Sequence, residues 1–82
     1  MTDDELKQVV IDALKRIAPE SDPSKVSGAL DLREQLDLDS MDFLNFVVEL
    51  HERLHVDIPE SEYGRLYTLD GCLRELRARL GA

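Results

Sequence analysis

The sequence predicts an all-α fold: a small four-helix bundle of three main helices and one short one. Apolar residues recur at helical spacing in three stretches, within residues 6–17, 43–54 and 69–80. Each stretch follows a residue suited to a helix start: Thr2, Asp39 or Thr68. No alternation of apolar and polar residues points to a strand, and no repeat or low-complexity tract interrupts the chain.

Thr2 and Glu5 have the spacing of a capping box, ahead of Leu6, Val9, Val10, Ala13, Leu14 and Ile17. This first helix should stop before Pro19, which removes a donor and clashes with a preceding turn. Residues 18–39 then make a long connection marked by Pro19, Pro23 and Gly28. A structureless connection of that length does not suit a compact domain. Val26, Leu30, Leu32, Leu36 and Leu38 are therefore expected to pin it to the core, with Asp31 and Glu34 placed to cap one short turn. A second main helix runs from about Ser40 to His55 and ends ahead of Asp57 and Pro59. A short helical turn is expected near Glu60–Arg65, with Tyr63 and Tyr67 packing it. Thr68 then caps a last helix whose Leu69, Cys72, Leu73, Leu76 and Leu80 form one stripe.

The second main helix carries two apolar faces. At about 100° per residue, Phe43, Phe46, Val47, Leu50 and Leu54 fall on one side and form the core stripe. Met41, Leu44 and Val48 fall on another side, alongside Ser40. A domain this small does not bury both faces of one helix, so these three are expected to stay exposed. Ringed by Asp42, Asn45, Glu49 and Glu52, they read as a docking surface.

The 82 residues are expected to form a single domain, 1–82, with one modest core. A formal charge of −8 and only four aromatics argue against nucleic-acid binding, which needs a basic face. An acidic surface suits partners with basic patches. The charge is uneven: residues 39–62 hold seven acidic groups and one basic. Cys72 is the single cysteine, so no internal disulfide forms, and its place on an apolar face predicts a buried thiol. The acidic start lacks the apolar run of a signal peptide, and no segment is long and apolar enough to cross a membrane. A monomeric chain in the cytoplasm is the expectation.

The stretch Leu36-Asp37-Leu38-Asp39-Ser40-Met41-Asp42 is the most telling. With Asp39 as N-cap, the third helical residue is Asp42, an acidic residue near the place where Glu or Gln would complete a capping box. With Ser40 as N-cap that residue is Phe43, which returns nothing. Asp39 is thus the better cap, and Ser40 becomes the first helical residue with its hydroxyl free. A phosphate esterified there would sit over unpaired N–H groups at the positive end of the helix dipole.

These residues resemble the acyl carrier protein family, the phosphopantetheine-bearing carrier domains. The likeness rests on Leu36 to Met41, the apolar spacing of residues 43–54, and Val56-Asp57-Ile58-Pro59 after the helix. It implies a 4′-phosphopantetheine arm on Ser40, transferred from coenzyme A by a phosphopantetheinyl transferase. The arm would hold acyl groups as thioesters, loaded by an acyl or aminoacyl ligase and passed to acyl-transferring enzymes. The chain itself would catalyse nothing. The resemblance also maps partner recognition onto Asp39, Met41, Leu44 and Val48, and the acyl cavity onto Phe43, Phe46 and Leu50.

The chain departs from the fatty-acid-synthesis pattern at Asn45, His51 and Arg53, where glutamates are common. Phe43 is bulkier than the small residue often found one turn after the serine. The Leu-Asp-Ser-Met string also looks like D-alanyl and other aminoacyl carriers, so an aminoacyl cargo stays open. Two other readings remain. His51-Glu52-Arg53-Leu54-His55 matches the zinc-protease signature, though it sits in a final helical turn without a downstream histidine. A helical adaptor that carries nothing would use the acidic face alone. Arg74, Arg77 and Arg79 read as a solvated face near a helix C-terminus.

Overall fold

Thr2 starts α1 (Asp3–Ile17) with a complete capping box. Its hydroxyl accepts from the Glu5 N–H at 3.1 Å, and the Glu5 carboxylate accepts from the Thr2 N–H at 2.9 Å. The computed structural model describes residues 1–81. After α1 come a 3-10 turn at Pro23–Lys25, the single-turn helix α2 (Leu32–Gln35), α3 (Ser40–Leu54), a 3-10 segment at Glu60–Leu66, and α4 (Leu69–Leu80). The described residues form an all-α bundle, as the periodicity predicts, with α3 as the second main helix.

Leu6, Val10, Ala13 and Leu14 of α1 join Phe46, Val47 and Leu50 of α3 and Cys72 and Leu76 of α4 in one core. The predicted core stripe of α3 is buried in full, from Phe43 to Leu54. Removing that much apolar surface from water is the main drive for folding, at roughly 25 cal/mol per Å² of apolar area.

The long connection is tied down, though not everywhere as expected. Leu32, Leu36 and Leu38 are buried and Val26 is partly buried, but Leu30 is 60% exposed. Its backbone explains this. Asp31 bridges Thr68, and the Leu32 N–H donates to the Tyr67 carbonyl at 2.7 Å, so the chain is held by main-chain bonds at this point. Asp22 and Pro23 add a capped 3-10 turn that periodicity does not reveal.

The 3-10 segment lies close on α4. A Cβ on Gly71 would stand 2.6 Å from the Arg65 carbonyl oxygen, so glycine permits this approach. The expected solvated arginine face is also partly committed. Arg79 pairs with Glu62 and with Glu75 (3.0 Å) and donates to the Asp57 carbonyl (2.7 Å), while Arg77 pairs with Asp3 at 2.8 Å. Arginine near the end of α4 therefore fastens the chain after α3 to the last helix.

Candidate functional site

The turn before α3 is set by backbone geometry. After α2, Asp37 takes a left-handed conformation (φ 53°), and the Leu38 N–H donates back to the Arg33 carbonyl at 2.8 Å. That hydrogen bond is the signature of a Schellman helix end, usually served by glycine. Asp is one of the few other residues that tolerate it. Leu38 is buried in the process, and this anchors the start of α3.

Asp39 then caps α3. The Asp42 N–H donates to Asp39 Oδ1 at 2.8 Å, and the Asp39 N–H donates to Asp42 Oδ2 at 3.2 Å. The box predicted from sequence is present, with Asp42 in the place of the customary glutamate. Ser40 is the first residue of α3 and is exposed. Its hydroxyl plays no part in the cap. The Phe43 N–H goes to the Asp39 carbonyl, so the N–H groups of Ser40 and Met41 remain the free donors of the first turn.

Along α3 from Ser40, Met41, Leu44 and Val48 are 63%, 39% and 44% exposed. The 3-10 segment does not cover them. The rim differs from expectation at Glu49, which is mostly buried and pairs with Arg16 (2.9 Å) and Arg53 (3.1 Å). It staples α3 to α1 instead of facing a partner.

An open cleft of about 660 Å³ begins at Ser40. Met41, Phe43 and Leu44 line it from α3, Arg33 and Glu34 from α2, Glu60 and Tyr63 from the 3-10 segment, and Tyr67 from its C-cap. Phe43 sits at the centre of an aromatic cluster, with ring centroids 5.1 Å from Tyr67, 5.9 Å from Phe46 and 6.4 Å from Tyr63. Arg33 lies 3.6 Å above the Tyr67 ring and forms a bidentate pair with Asp31 at 3.1 and 2.6 Å. That hydrogen-bonded pair holds the Asp31 carboxyl below its ordinary range and raises the Arg33 guanidinium. Tyr63 and Tyr67 pack the short helix as expected from the sequence, but the Asp31–Arg33–Tyr67 stack is not legible there. Contact between α2 and the 3-10 segment leaves no periodic signal.

The phosphopantetheine attachment site family matches residues 4–80. The chain belongs to this family. An acyl carrier protein of Wolinella succinogenes is 28% identical over 71 residues, covering 87% of each chain. No solved structure gives a significant match. The carrier bears covalent 4′-phosphopantetheine, depends on partner enzymes such as a phosphopantetheinyl transferase, and belongs to a class that carries without catalysing.

The histidine motif at the end of α3 has a structural role. His55 caps the helix in a left-handed conformation (φ 55°). His51 Nδ1 lies 2.8 Å from the Val56 carbonyl and 3.1 Å from Asp57 Oδ1, closing the turn. Among the described residues no group of three or more His, Cys, Asp or Glu side chains is placed to hold a metal ion, so His51, Glu52 and His55 find no further ligand. Also among the described residues, no helix is long and apolar enough to cross a membrane.

Proposed function

We propose that Ser40 carries the arm and that residues 1–82 act as one carrier unit. One observation supports this above others: the Ser40 hydroxyl is exposed beside an open cleft while Asp39 and Asp42 close the helix cap without it. The residues present fit a phosphodiester. Free N–H groups and the positive helix end favour an anion at that position. The arm supplies a thiol on a flexible tether, and tethering raises the effective concentration of its thioester at each partner.

Asp39, Met41, Leu44 and Val48 form the recognition surface in this reading, for basic, partly apolar faces on a transferase, a loading ligase and acyl-transferring enzymes. Acidic surroundings bring such partners together quickly, and the apolar residues hold them. The carrier works as a cytoplasmic monomer, with no nucleic acid or membrane among its partners. Its net charge of −8 fits that reading.

Intact mass tests the assignment. Incubation with coenzyme A and a broad-specificity transferase adds one arm to the wild type and none to Ser40→Ala, which keeps its helical circular dichroism. An unmodified wild type, or a modified Ser40→Ala, overturns it.

A further inference from the structure

Glu49 serves two arginines. Arg16, in the last turn of α1, places Nε 2.9 Å from Glu49 Oε1, and Arg53, in the last turn of α3, donates from Nε to Glu49 Oε2 at 3.1 Å. Among the described residues neither guanidinium has another hydrogen-bond or ion-pair partner. One carboxylate neutralises one of the two, so the seam between α1 and α3 keeps a positive charge in a chain of net charge −8. The Glu49 side chain is mostly buried, whereas those of Arg16 and Arg53 are 69% and 35% exposed. Joining the helices through Glu49 needs one arginine, and exposed ion pairs add little to stability. The second guanidinium is free for a group from outside the chain.

This seam continues the face that begins at Ser40. At about 100° and 1.5 Å per residue, Asp42, Glu49 and Arg53 fall within about 40° of one another on α3, with Arg53 about 16 Å beyond Asp42. That edge runs beside Met41, Leu44 and Val48, with the exposed Asn45 between them. Its ends have opposite sign. Asp39 and Asp42 stand at the first turn, where a phosphodiester would add to their charge, and Arg16 and Arg53 stand at the far end. Glu52, the other carboxylate at that end of α3, points about 100° away from Arg53 and pairs with neither arginine. A uniformly basic partner face fits the first end and is repelled at the second. A face with a basic group at one end and a carboxylate at the other matches both, and such complementarity fixes register and turns away wrong partners. Guanidinium groups bind carboxylates through paired N–H donors, which suits the exposed ends of these two side chains.

We infer that the Arg16–Glu49–Arg53 seam receives an aspartate or glutamate side chain of the enzyme that loads the arm. A transferase needs to reach Ser40, whereas a loading enzyme must also match its cargo to one carrier, and a charge pattern spread along α3 gives that discrimination. The inference rests on Met41, Leu44 and Val48 being the recognition stripe. Arg16 and Arg53 decide which enzyme docks and take no part in chemistry at Ser40.

The test uses the full chain with its arm attached and the purified loading ligase of the same organism. Arg16→Gln with Arg53→Gln should raise the KM of the ligase for the carrier several-fold at unchanged kcat, and leave the KM of the transferase as in the wild type. The difference should shrink at high salt, as exposed charges are screened. Arg16→Lys with Arg53→Lys should restore most of the affinity, and a carbodiimide should then couple one of the new amines to an aspartate or glutamate of the ligase, located by mass spectrometry. If the glutamine pair lowers the melting temperature, adding Glu49→Gln removes the stranded carboxylate and the same comparison is made. An unchanged ligase KM, an equal rise for the transferase, or no coupling to a ligase carboxylate overturns the inference. Val48→Asp separates it from the stripe: a ligase KM unmoved by Val48→Asp refutes the stripe, whereas one moved by Val48→Asp and not by the arginine variants refutes the seam alone.

Discussion

Asp39 and Asp42 exchange hydrogen bonds across the first turn of α3, each carboxylate accepting from the other's backbone N–H. This reciprocal pair starts the helix and frees the neighbouring Ser40. The capping residue and the proposed attachment residue are therefore adjacent but distinct, and substitutions should separate them.

Asp39→Ala should lower stability by about 0.5–2 kcal/mol, the usual cost of losing an N-cap. Ser40→Ala should leave stability within about 0.5 kcal/mol, as for an exposed residue outside the cap. Urea unfolding of both variants checks the pair. A larger loss for Ser40→Ala would mean that its hydroxyl supports the helix start.

Val48→Asp should slow transferase modification or acyl transfer with little change in melting temperature, because Val48 is 44% exposed. Leu50→Ala removes a fully buried side chain and should cost about 2–5 kcal/mol. Thermal melts alongside a modification assay read both. Unfolding by Val48→Asp would show that the stripe is needed for the core.

Asp31 gives the stability a pH dependence of known sign. The Arg33 guanidinium holds its carboxyl below the ordinary range in the folded state. Its contribution is thus fully present above the unfolded value, about 4, and is lost as pH falls through the lowered folded value. Asp31→Asn keeps a competent cap for α2 but removes the charge. Its stability profile should be flatter than the wild type's below about pH 4, as measured by urea midpoints across that window. An unchanged slope would assign the acid sensitivity to other carboxylates.

Cys72 should be inert in the folded carrier. It is fully buried, and desolvation pushes its thiol up to about 12, so almost no thiolate forms near neutrality. The thiol of the arm carries no such protection. A thiol reagent should label the arm-bearing protein once when native and twice when denatured. Two native labels would show that the core opens readily around α4.

The sequence by itself determined the helices, their caps and the exposed serine, since these depend on residues within one or two turns. Thr2 with Glu5, Asp39 with Asp42, and the two faces of α3 are all local patterns of that kind. Tertiary structure decided what periodicity cannot encode. Leu30 is exposed because main-chain bonds to Tyr67 and Thr68 hold the connection, and Glu49 and Arg79 are taken by partners on other elements. The cleft beside Ser40 is lined by residues far apart in the chain, where Arg33 of α2 lies over the ring of Tyr67 at the end of the 3-10 segment. Contacts of that separation depend on how helices pack, and only the folded chain brings them together.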